Sequence, residues 1–283
     1  MTSNNRTGGF VAKLLCAVAF GVLAGGTAHA QGNTEEGQPE QKTKQAQAVS
    51  KAVYDKILKA QEQIDAENFG EAMKMLNRLK NQTKPALTEY ETINVLNYIG
   101  FVQFSEEDTA GAMRTYKELL SIPSLEVQMR KQTTYTLAQL STMQEQYGEA
   151  LKLLDEWFVL ETNPQPDAFI LYAQNLYQME RYGDMVKPIE TAMSIAREKD
   201  KEVKEDWYTL LNFAYFQQEN YAKVRDIQKI LLVNWPKKRY WFSLAGAYTE
   251  LGEEANLLHA YNAAHTQGML EKEAELVTMA QLY

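Results

Sequence analysis

Gln146-Tyr147-Gly148-Glu149-Ala150 is the clearest copy of a short repeat motif that recurs along the chain. The other copies are Asn68-Phe69-Gly70-Glu71-Ala72, Thr109-Ala110-Gly111-Ala112, Arg181-Tyr182-Gly183-Asp184-Met185, Asn220-Tyr221-Ala222-Lys223-Val224 and the looser Gly252-Glu253-Glu254-Ala255-Asn256-Leu257. The last residues of the copies stand at 72, 112, 150, 185, 224 and 257, so consecutive copies are 40, 38, 35, 39 and 33 residues apart. Such spacing predicts an array of similar structural units.

The stretches between the copies have helical periodicity. From Lys51 onward, apolar residues recur three and four positions apart, and strict alternation is rare. Pro85, Pro123, Pro164 and Pro236 stand at the ends of units, where a helix must stop. Each unit is therefore predicted to be a helix, a turn and a second helix, and one such unit cannot bury its apolar face alone.

This pattern resembles the tetratricopeptide repeat, a helix-turn-helix unit of about 34 residues. The sixth unit carries the resemblance most fully, and its matching residues are Trp241, Leu244, Ala245, Tyr248, Tyr261 and Ala264. The fifth unit departs from the pattern, because Asn212 stands where a small residue is usual. The resemblance implies an all-α fold, an α-α superhelix, with about six units and a C-terminal single helix over residues 51–283.

The first fifty residues are predicted to lie outside the array. Residues 1–30 combine an early positive charge, an apolar segment and the small-residue site Ala28-His29-Ala30, which is typical of a secretory signal peptide cleaved after Ala30. Residues 31–50 are rich in Gln and contain no aromatic residue, so we expect a flexible leader. The protein is thus predicted to be exported.

Composition excludes several classes of function. The formal net charge of −8 disfavours nucleic acid as a partner, and no apolar run is long enough for a membrane span. After residue 30 the chain has no Cys and only two His, His259 and His265, so no metal site and no cofactor are expected. We also find no catalytic signature, which predicts that the protein is not an enzyme and has no catalytic residues.

The tetratricopeptide resemblance also implies a groove, lined by fixed positions of the first helix of each unit. The residues at these positions are Tyr54, Asn97, Phe101, Phe104, Tyr135, Gln139, Gln174, Tyr177, Phe213, Phe216 and Phe242. Aromatic rings give a large contact area at low entropic cost, and amides pair with an extended backbone. The set is interpreted as a groove for a protein or peptide segment, or alternatively as packing between neighbouring first helices.

A narrower resemblance covers residues from about 235 to 282. Trp235-Pro236, Tyr240-Trp241 and the run from Leu244 to Gly252 are similar to exported tetratricopeptide proteins of Gram-negative bacteria associated with TonB systems. The resemblance implies a periplasmic scaffold that works with a TonB-type transducer complex in outer-membrane uptake of iron chelates. A scaffold for cell-wall or outer-membrane assembly is the alternative, and a hydrolase is a remote one.

The end of the sequence suggests a second contact surface. Residues 273–283 fit the first helix of a seventh unit and place Leu276, Ala280 and Tyr283 on one stripe. We expect this stripe to contact a partner or a second copy of the chain, which would give a homo-oligomer through the C-terminal helix. The alternative is that the helix packs back onto the sixth unit.

Overall fold

The computed structural model describes residues 49–282, and within them the chain forms thirteen α-helices and no β-strand. The helices are α1 Lys51–Asp65, α2 Phe69–Lys80, α3 Glu89–Ser105, α4 Thr109–Leu120, α5 Val127–Met143, α6 Tyr147–Leu160, α7 Pro166–Gln178, α8 Tyr182–Glu198, α9 Glu205–Gln217, α10 Tyr221–Asn234, α11 Lys238–Leu251, α12 Glu254–Thr266 and α13 Glu273–Ala280. The predicted signal peptide and nearly all of the predicted leader lie outside the described residues, so both stay predictions.

The helices pack in sequential antiparallel pairs. Each odd-numbered helix up to α11 pairs with the helix that follows it, and the contacts divide the chain into two compact units at residue 161. The first unit contains α1–α6 and the second contains α7–α13. Within each unit, the second helix of one pair also packs against the first helix of the next pair, as stacked repeats require.

Apolar stripes on the helices form the core of each unit. On α1, Val53, Ile57, Ala60 and Ile64 are buried at intervals of three and four residues, and they pack against α2 and α3. In the second unit, Leu244 and Tyr248 of α11 belong to a cluster with residues of α12. The stripe on each helix therefore explains why the helices associate, and burial of that stripe is the main source of stability.

Each of the six motif copies follows the same turn geometry. In each turn within a pair, one residue adopts a left-handed conformation, and the next residue donates its backbone N–H to the carbonyl five positions earlier. In these six turns the left-handed residues are Glu67, Glu107, Glu145, Glu180, Glu219 and Gly252. This hydrogen bond is that of a Schellman cap, which satisfies a carbonyl at the helix end. The spacing of these six residues equals that of the motif copies.

Candidate functional site

The second unit contains a recess formed by three consecutive helices. It has a volume of about 410 Å³, within the range of small ligand sites. The lining residues are Thr209, Asn212, Phe213 and Phe216 of α9, Gln228 and Leu231 of α10, and Arg239, Tyr240 and Ser243 of α11. The α9 residues are spaced three and four apart and so lie on one face of that helix. We call this set of nine residues the amide recess.

Two amide side chains in the recess keep a buried oxygen without a hydrogen bond. Neither Asn212 Oδ1 nor Gln228 Oε1 accepts a hydrogen bond within the described part of the chain, although both atoms are buried. Gln228 is only 2% exposed. Most buried polar groups in proteins are paired, and leaving one unpaired costs about 1–3 kcal/mol. Because both atoms have almost no accessible surface, the two unpaired oxygens lie behind the wall of the recess.

Aromatic rings border the recess on the side of α7 and α8. Phe213 packs edge-on against Tyr177 and Tyr182, with ring centroids 5.1 and 5.2 Å apart, and the two tyrosine rings are 6.0 Å from each other. We call these three residues the ring cluster. Edge-on packing is a favourable arrangement for aromatic pairs, so the cluster holds Phe213 in place.

Phe216 is the most exposed ring at the recess. Its centroid lies 6.1 Å from that of Tyr221, at the start of α10, and the residue is 50% exposed. The Phe216 ring thus contacts Tyr221 on one side and solvent on the other. An exposed, supported aromatic ring is the kind of residue that contributes strongly to protein interfaces.

A network of hydrogen-bonded charged residues lies on the α11 side of the recess. Glu205, at the start of α9, accepts hydrogen bonds from Lys237 at 2.6 Å, from Arg239 at 2.9 Å and from the Tyr240 hydroxyl. The hydrogen bond from Lys237, followed by that from Tyr240, lowers the pKa of Glu205 to about 2. The positive charge of Arg239, the one charged residue of the lining, is thereby paired with a carboxylate.

The predicted groove residues fall into both units. Those of the second unit are Gln174, Tyr177, Phe213, Phe216 and Phe242. The structure brings Tyr177 and Phe213 together in the ring cluster, and Phe213 and Phe216 together in the recess. Gln174 is exposed on α7, whereas Phe242 packs edge-on against Tyr261 of α12, with centroids 6.4 Å apart. Within the second unit, predicted groove aromatics therefore lie next to one another around Phe213 and Phe216.

In the first unit, the side chains of the predicted groove residues are less exposed to solvent. Tyr54, Asn97 and Phe104 are half-buried, and Gln139 is buried. The remaining two, Phe101 and Tyr135, are half-buried and pack within the unit. Phe101 packs against the core cluster, and the Tyr135 ring lies 4.8 Å from that of Trp157. Trp157 belongs to α6, the second helix of the same pair, so its contact with Tyr135 is not the packing between first helices that the alternative describes, and the groove stays a prediction.

The predicted C-terminal stripe is described only in part. On α13, Leu276 is 38% exposed and Ala280 is exposed, whereas Tyr283 lies outside the described residues. Glu275 accepts a hydrogen bond from Lys238 of α11 at 2.9 Å, and Leu282 packs against the α11–α12 cluster. The helix is therefore tied to the preceding pair, but the stripe itself faces solvent.

Seven of the nine lining residues were not among the predicted site residues, which included only Phe213 and Phe216. A signal for two of the seven exists in the sequence. Asn212 occupies a position where the repeat pattern has a small residue, and Gln228 interrupts the buried stripe of Val224, Ile227 and Leu231 on α10. When a polar residue occupies a position that is normally apolar in the packed repeat, that position is a candidate for a functional site.

Membrane spans and metal clusters are both absent from residues 49–282. No helix there is long and apolar enough to cross a bilayer. The same residues contain no group of three or more His, Cys, Asp or Glu side chains arranged to hold a metal ion.

Comparisons with known proteins identify the fold. No family model and no curated protein matches the sequence. Among solved structures, the chain is similar to a tetratricopeptide repeat protein from Parabacteroides merdae, with 16% identity, a TM-score of 0.52, and coverage of 82% of this chain and 85% of that one. It is also similar to MamA from Desulfovibrio magneticus, with 12% identity, a TM-score of 0.49, and coverage of 66% and 99%. The first similarity confirms the predicted all-α tetratricopeptide repeat fold.

Proposed function

We propose that this tetratricopeptide repeat protein is an interaction scaffold that binds a segment of another protein at the amide recess. The observation that carries the proposal is the exposed ring of Phe216 in one recess of about 410 Å³ whose lining also contains the polar side chains of Thr209 and Ser243. A polypeptide segment offers both the hydrogen-bonding groups and the apolar surface that can contact such a lining.

The composition of the recess favours binding over catalysis. Its lining contains no His, no Cys and no carboxylate, so the Thr209 and Ser243 hydroxyls have no general base among the nine residues. Leu231 and the two phenylalanines give an apolar wall, and the amides give hydrogen-bonding specificity. A hydrolase has no support in this arrangement.

We further infer that the protein acts in the periplasm as an accessory component of a TonB-type system for uptake of iron chelates. Support for this assignment comes from the sequence alone: the signal-peptide pattern of residues 1–30 and the resemblance of residues 235–282 to exported TonB-associated repeat proteins. Mass spectrometry of the exported protein should find Gln31, or its pyroglutamate, as the first residue.

The proposal is tested by affinity capture from the cell envelope with three forms of the exported protein. These are the wild type, Phe216→Ala, and Val233→Ala as a control for loss of an exposed apolar side chain, since Val233 is 81% exposed on α10. We expect the wild type and the control to capture the TonB-type transducer complex, and Phe216→Ala to lose it.

Two results would count against the proposal. Equal capture by Phe216→Ala and the wild type would show that the recess is not the binding site. Capture of envelope-assembly proteins instead of the transducer, with envelope defects and normal iron uptake on loss of the gene, would favour the assembly scaffold.

A further inference from the structure

We propose that the surface around Phe216 is specific for arginine, so that the bound segment places a guanidinium group against an aromatic ring and a glutamate of the second unit. This inference rests on the proposed function, in which Phe216 contacts a protein segment. It adds the chemical class of the side chain that is recognised.

Two consecutive turns of the second unit repeat one combination of two aromatic rings and a glutamate. Each set has an aromatic residue near the end of a first helix, a glutamate three positions later in the left-handed turn conformation, and a second aromatic residue at the start of the next helix. We call these sets the turn triplets, and they are Tyr177, Glu180 and Tyr182 in the first and Phe216, Glu219 and Tyr221 in the second, with corresponding residues 39 positions apart.

The turn holds the glutamate of a triplet beside its rings. The ring centroids are 6.0 Å apart for Tyr177 and Tyr182 and 6.1 Å apart for Phe216 and Tyr221. In the second triplet, the Glu219 backbone N–H donates to the Phe216 carbonyl at 2.9 Å, and the Tyr221 backbone N–H donates to the Glu219 carbonyl at 2.9 Å. The position of the glutamate relative to the rings is therefore set by the backbone.

The rings of the two triplets belong to one accessible surface. Phe213 of α9 packs against both tyrosine rings of the first triplet and precedes Phe216 by three residues, so it connects the two triplets. Tyr177 is 39% exposed and Phe216 is 50% exposed. A ligand from solvent can therefore reach a ring of each triplet.

Exposed carboxylates lie beside these rings. Glu180, Glu219 and Glu250 are exposed, and none of the three forms an ion pair within residues 49–282. Burial, followed by the negative charges of Glu250 and Glu219, raises the pKa of the Tyr221 phenol, so both charges act at the second triplet. In the first triplet, burial and then Glu180 raise the pKa of Tyr182. The surface thus combines accessible rings with negative charge.

Positive charge is scarcer on this surface. One basic residue stands near each triplet in the sequence: Arg181, which pairs with Asp184 at 2.7 Å between Nη2 and Oδ2, and Lys223 in the first turn of α10. Arg239, the cation of the recess lining, is paired with Glu205 at the start of α9, about 16 Å along that helix from the second triplet. A basic side chain is therefore favoured at the triplets, where an acidic one would meet like charge.

Arginine suits this combination of groups better than lysine does. Its guanidinium is planar, stacks on aromatic faces and donates two parallel hydrogen bonds to one carboxylate. The ammonium of lysine is a compact, strongly hydrated charge, and it is found over aromatic rings less often. Each triplet supplies both an aromatic ring and a carboxylate from a single turn, which are the two partners that a guanidinium uses.

The test uses four peptides of one design, N-acetyl-Ala-Xaa-Ala-Xaa-Ala-amide, in which Xaa is arginine, citrulline, lysine or glutamate. Alternation places both Xaa side chains on one face of an extended peptide, and citrulline keeps the shape of arginine without its charge. Binding to the isotopically labelled exported protein is followed by NMR through the ring signals of Phe216 and Tyr221. We expect the arginine peptide to bind at least about fivefold more tightly than the citrulline peptide, as a cation–π contact with an exposed ion pair would give.

Two results with these peptides would overturn the proposal. Equal affinity for the arginine and citrulline peptides would mean that charge is not recognised. Equal affinity for the arginine and lysine peptides would mean that charge alone is recognised and that the surface is not specific for arginine.

Charge variants assign the preference to the triplets. Glu180→Gln with Glu219→Gln removes two carboxylates with little change of shape and should abolish most of the preference for arginine over citrulline. Asp200→Asn with Glu202→Gln removes two exposed carboxylates from the connection before α9 and should keep that preference. An equal loss in both double variants would refute the proposal, because it would indicate a general attraction of arginine to a chain with a net charge of −8.

A ring variant tests the aromatic part of the site. Tyr177→Leu with Phe216→Leu keeps apolar side chains but removes the exposed ring of each triplet. It should weaken binding of the arginine peptide and leave the citrulline peptide nearly unchanged, and circular dichroism checks that the variant is folded. An undiminished preference for arginine in this variant would contradict the proposed ring contact.

The outcomes separate this inference from the proposed function. If the arginine and citrulline peptides bind equally while Phe216→Ala still loses the captured partner, arginine specificity is wrong and the scaffold function stands. If the arginine preference is found while capture is unaffected by Phe216→Ala, the triplets recognise arginine but are not the docking site of the captured protein.

Discussion

Gly100 of α3 lies directly against the ring of Tyr116 of α4. A Cβ atom built on Gly100 would stand 2.7 Å from two carbon atoms of that ring, closer than real side chains allow. Tyr116 is itself buried, and its burial raises the pKa of the phenol. The absence of a side chain at residue 100 therefore sets how closely the two helices of the second pair approach.

We predict that Gly100→Ala destabilises the protein by overpacking, by about 1–3 kcal/mol. Urea unfolding followed by circular dichroism measures the change. Gly246→Ala is the matched control, because Gly246 lies inside α11 and a methyl group added there would have no atom within 4 Å, so this change should be neutral or stabilising by up to about 1 kcal/mol. If the two variants were equally stable, the close contact of Gly100 with Tyr116 would have no energetic role.

The left-handed turn residues offer a stabilising change. Glu145 is exposed and has a φ of 58°, a conformation that costs an L-residue about 1–2 kcal/mol. Glu145→Gly removes this strain, and the greater freedom of glycine in the unfolded chain offsets about half of the gain. We expect a net stabilisation of about 0.5–1 kcal/mol in urea unfolding. The same change at Glu156, which is exposed inside α6, should destabilise by about 1 kcal/mol. A loss of stability at Glu145 would contradict the strain argument.

Phe213 and Phe216 should differ in their effects on stability. Phe213→Ala removes two edge-on ring contacts of the ring cluster and should lower the free energy of unfolding by about 1–3 kcal/mol. Phe216→Ala removes a ring that is half exposed, and a loss of less than about 1 kcal/mol is expected. Both should weaken partner capture. The melting temperatures of the two variants provide the comparison, and a larger loss for Phe216→Ala would indicate that its ring is mainly structural.

Stability in acid should depend on Glu205. The pKa of its carboxyl is lowered in the folded protein from an ordinary 4.5 to about 2, chiefly by the hydrogen bond from Lys237. Because the ionised form is favoured by folding, its contribution is complete above pH 4.5 and is lost as the pH falls from there to about 2. We expect Glu205→Gln to be less stable than the wild type at about pH 6, with the difference shrinking by about pH 2. Unfolding in urea at several pH values tests this.

A control separates the effect of Glu205 from general acid unfolding. Glu202→Gln changes an exposed glutamate in the connection before α9 and should keep the wild-type pH profile. A Glu205→Gln variant whose stability runs parallel to the wild type over the whole acid range would mean that the network around Glu205 does not stabilise the fold.

The exposed stripe of α13 is expected to pair two copies of the chain. Leu276→Glu with Ala280→Lys places charges on the stripe and should convert an associating protein into a monomer, as measured by light scattering over a range of concentrations. Val159→Glu, which charges an exposed valine of α6, should leave association unchanged. If the wild type and the α13 variant were both monomeric at every concentration, the stripe would have no role in self-association.

Turns and groove residues differ in how far the sequence predicts them. The motif around residues 146–150 already indicated the repeat boundaries, because it follows the left-handed cap residue Glu145 at a fixed offset. Caps and turns depend on hydrogen bonds between residues five positions apart, so a local pattern can predict them. The surroundings of a groove residue depend on tertiary contacts: Tyr135 and Phe213 were both predicted to line the groove, but Tyr135 packs against Trp157 of its own pair and Phe213 against Tyr177 and Tyr182 of the preceding pair.

The sequence by itself determined the helical repeats and the positions of their turns, since apolar periodicity and cap geometry are local properties of the chain. Only the tertiary structure decided which polar residues meet. Asn212 and Gln228 are sixteen residues apart on separate helices, and Arg239 comes from a third, so their shared recess exists only when α9, α10 and α11 pack together. Packing of a whole helix face, and not the residue type at one position, determines whether an amide is paired, exposed or buried and unpaired.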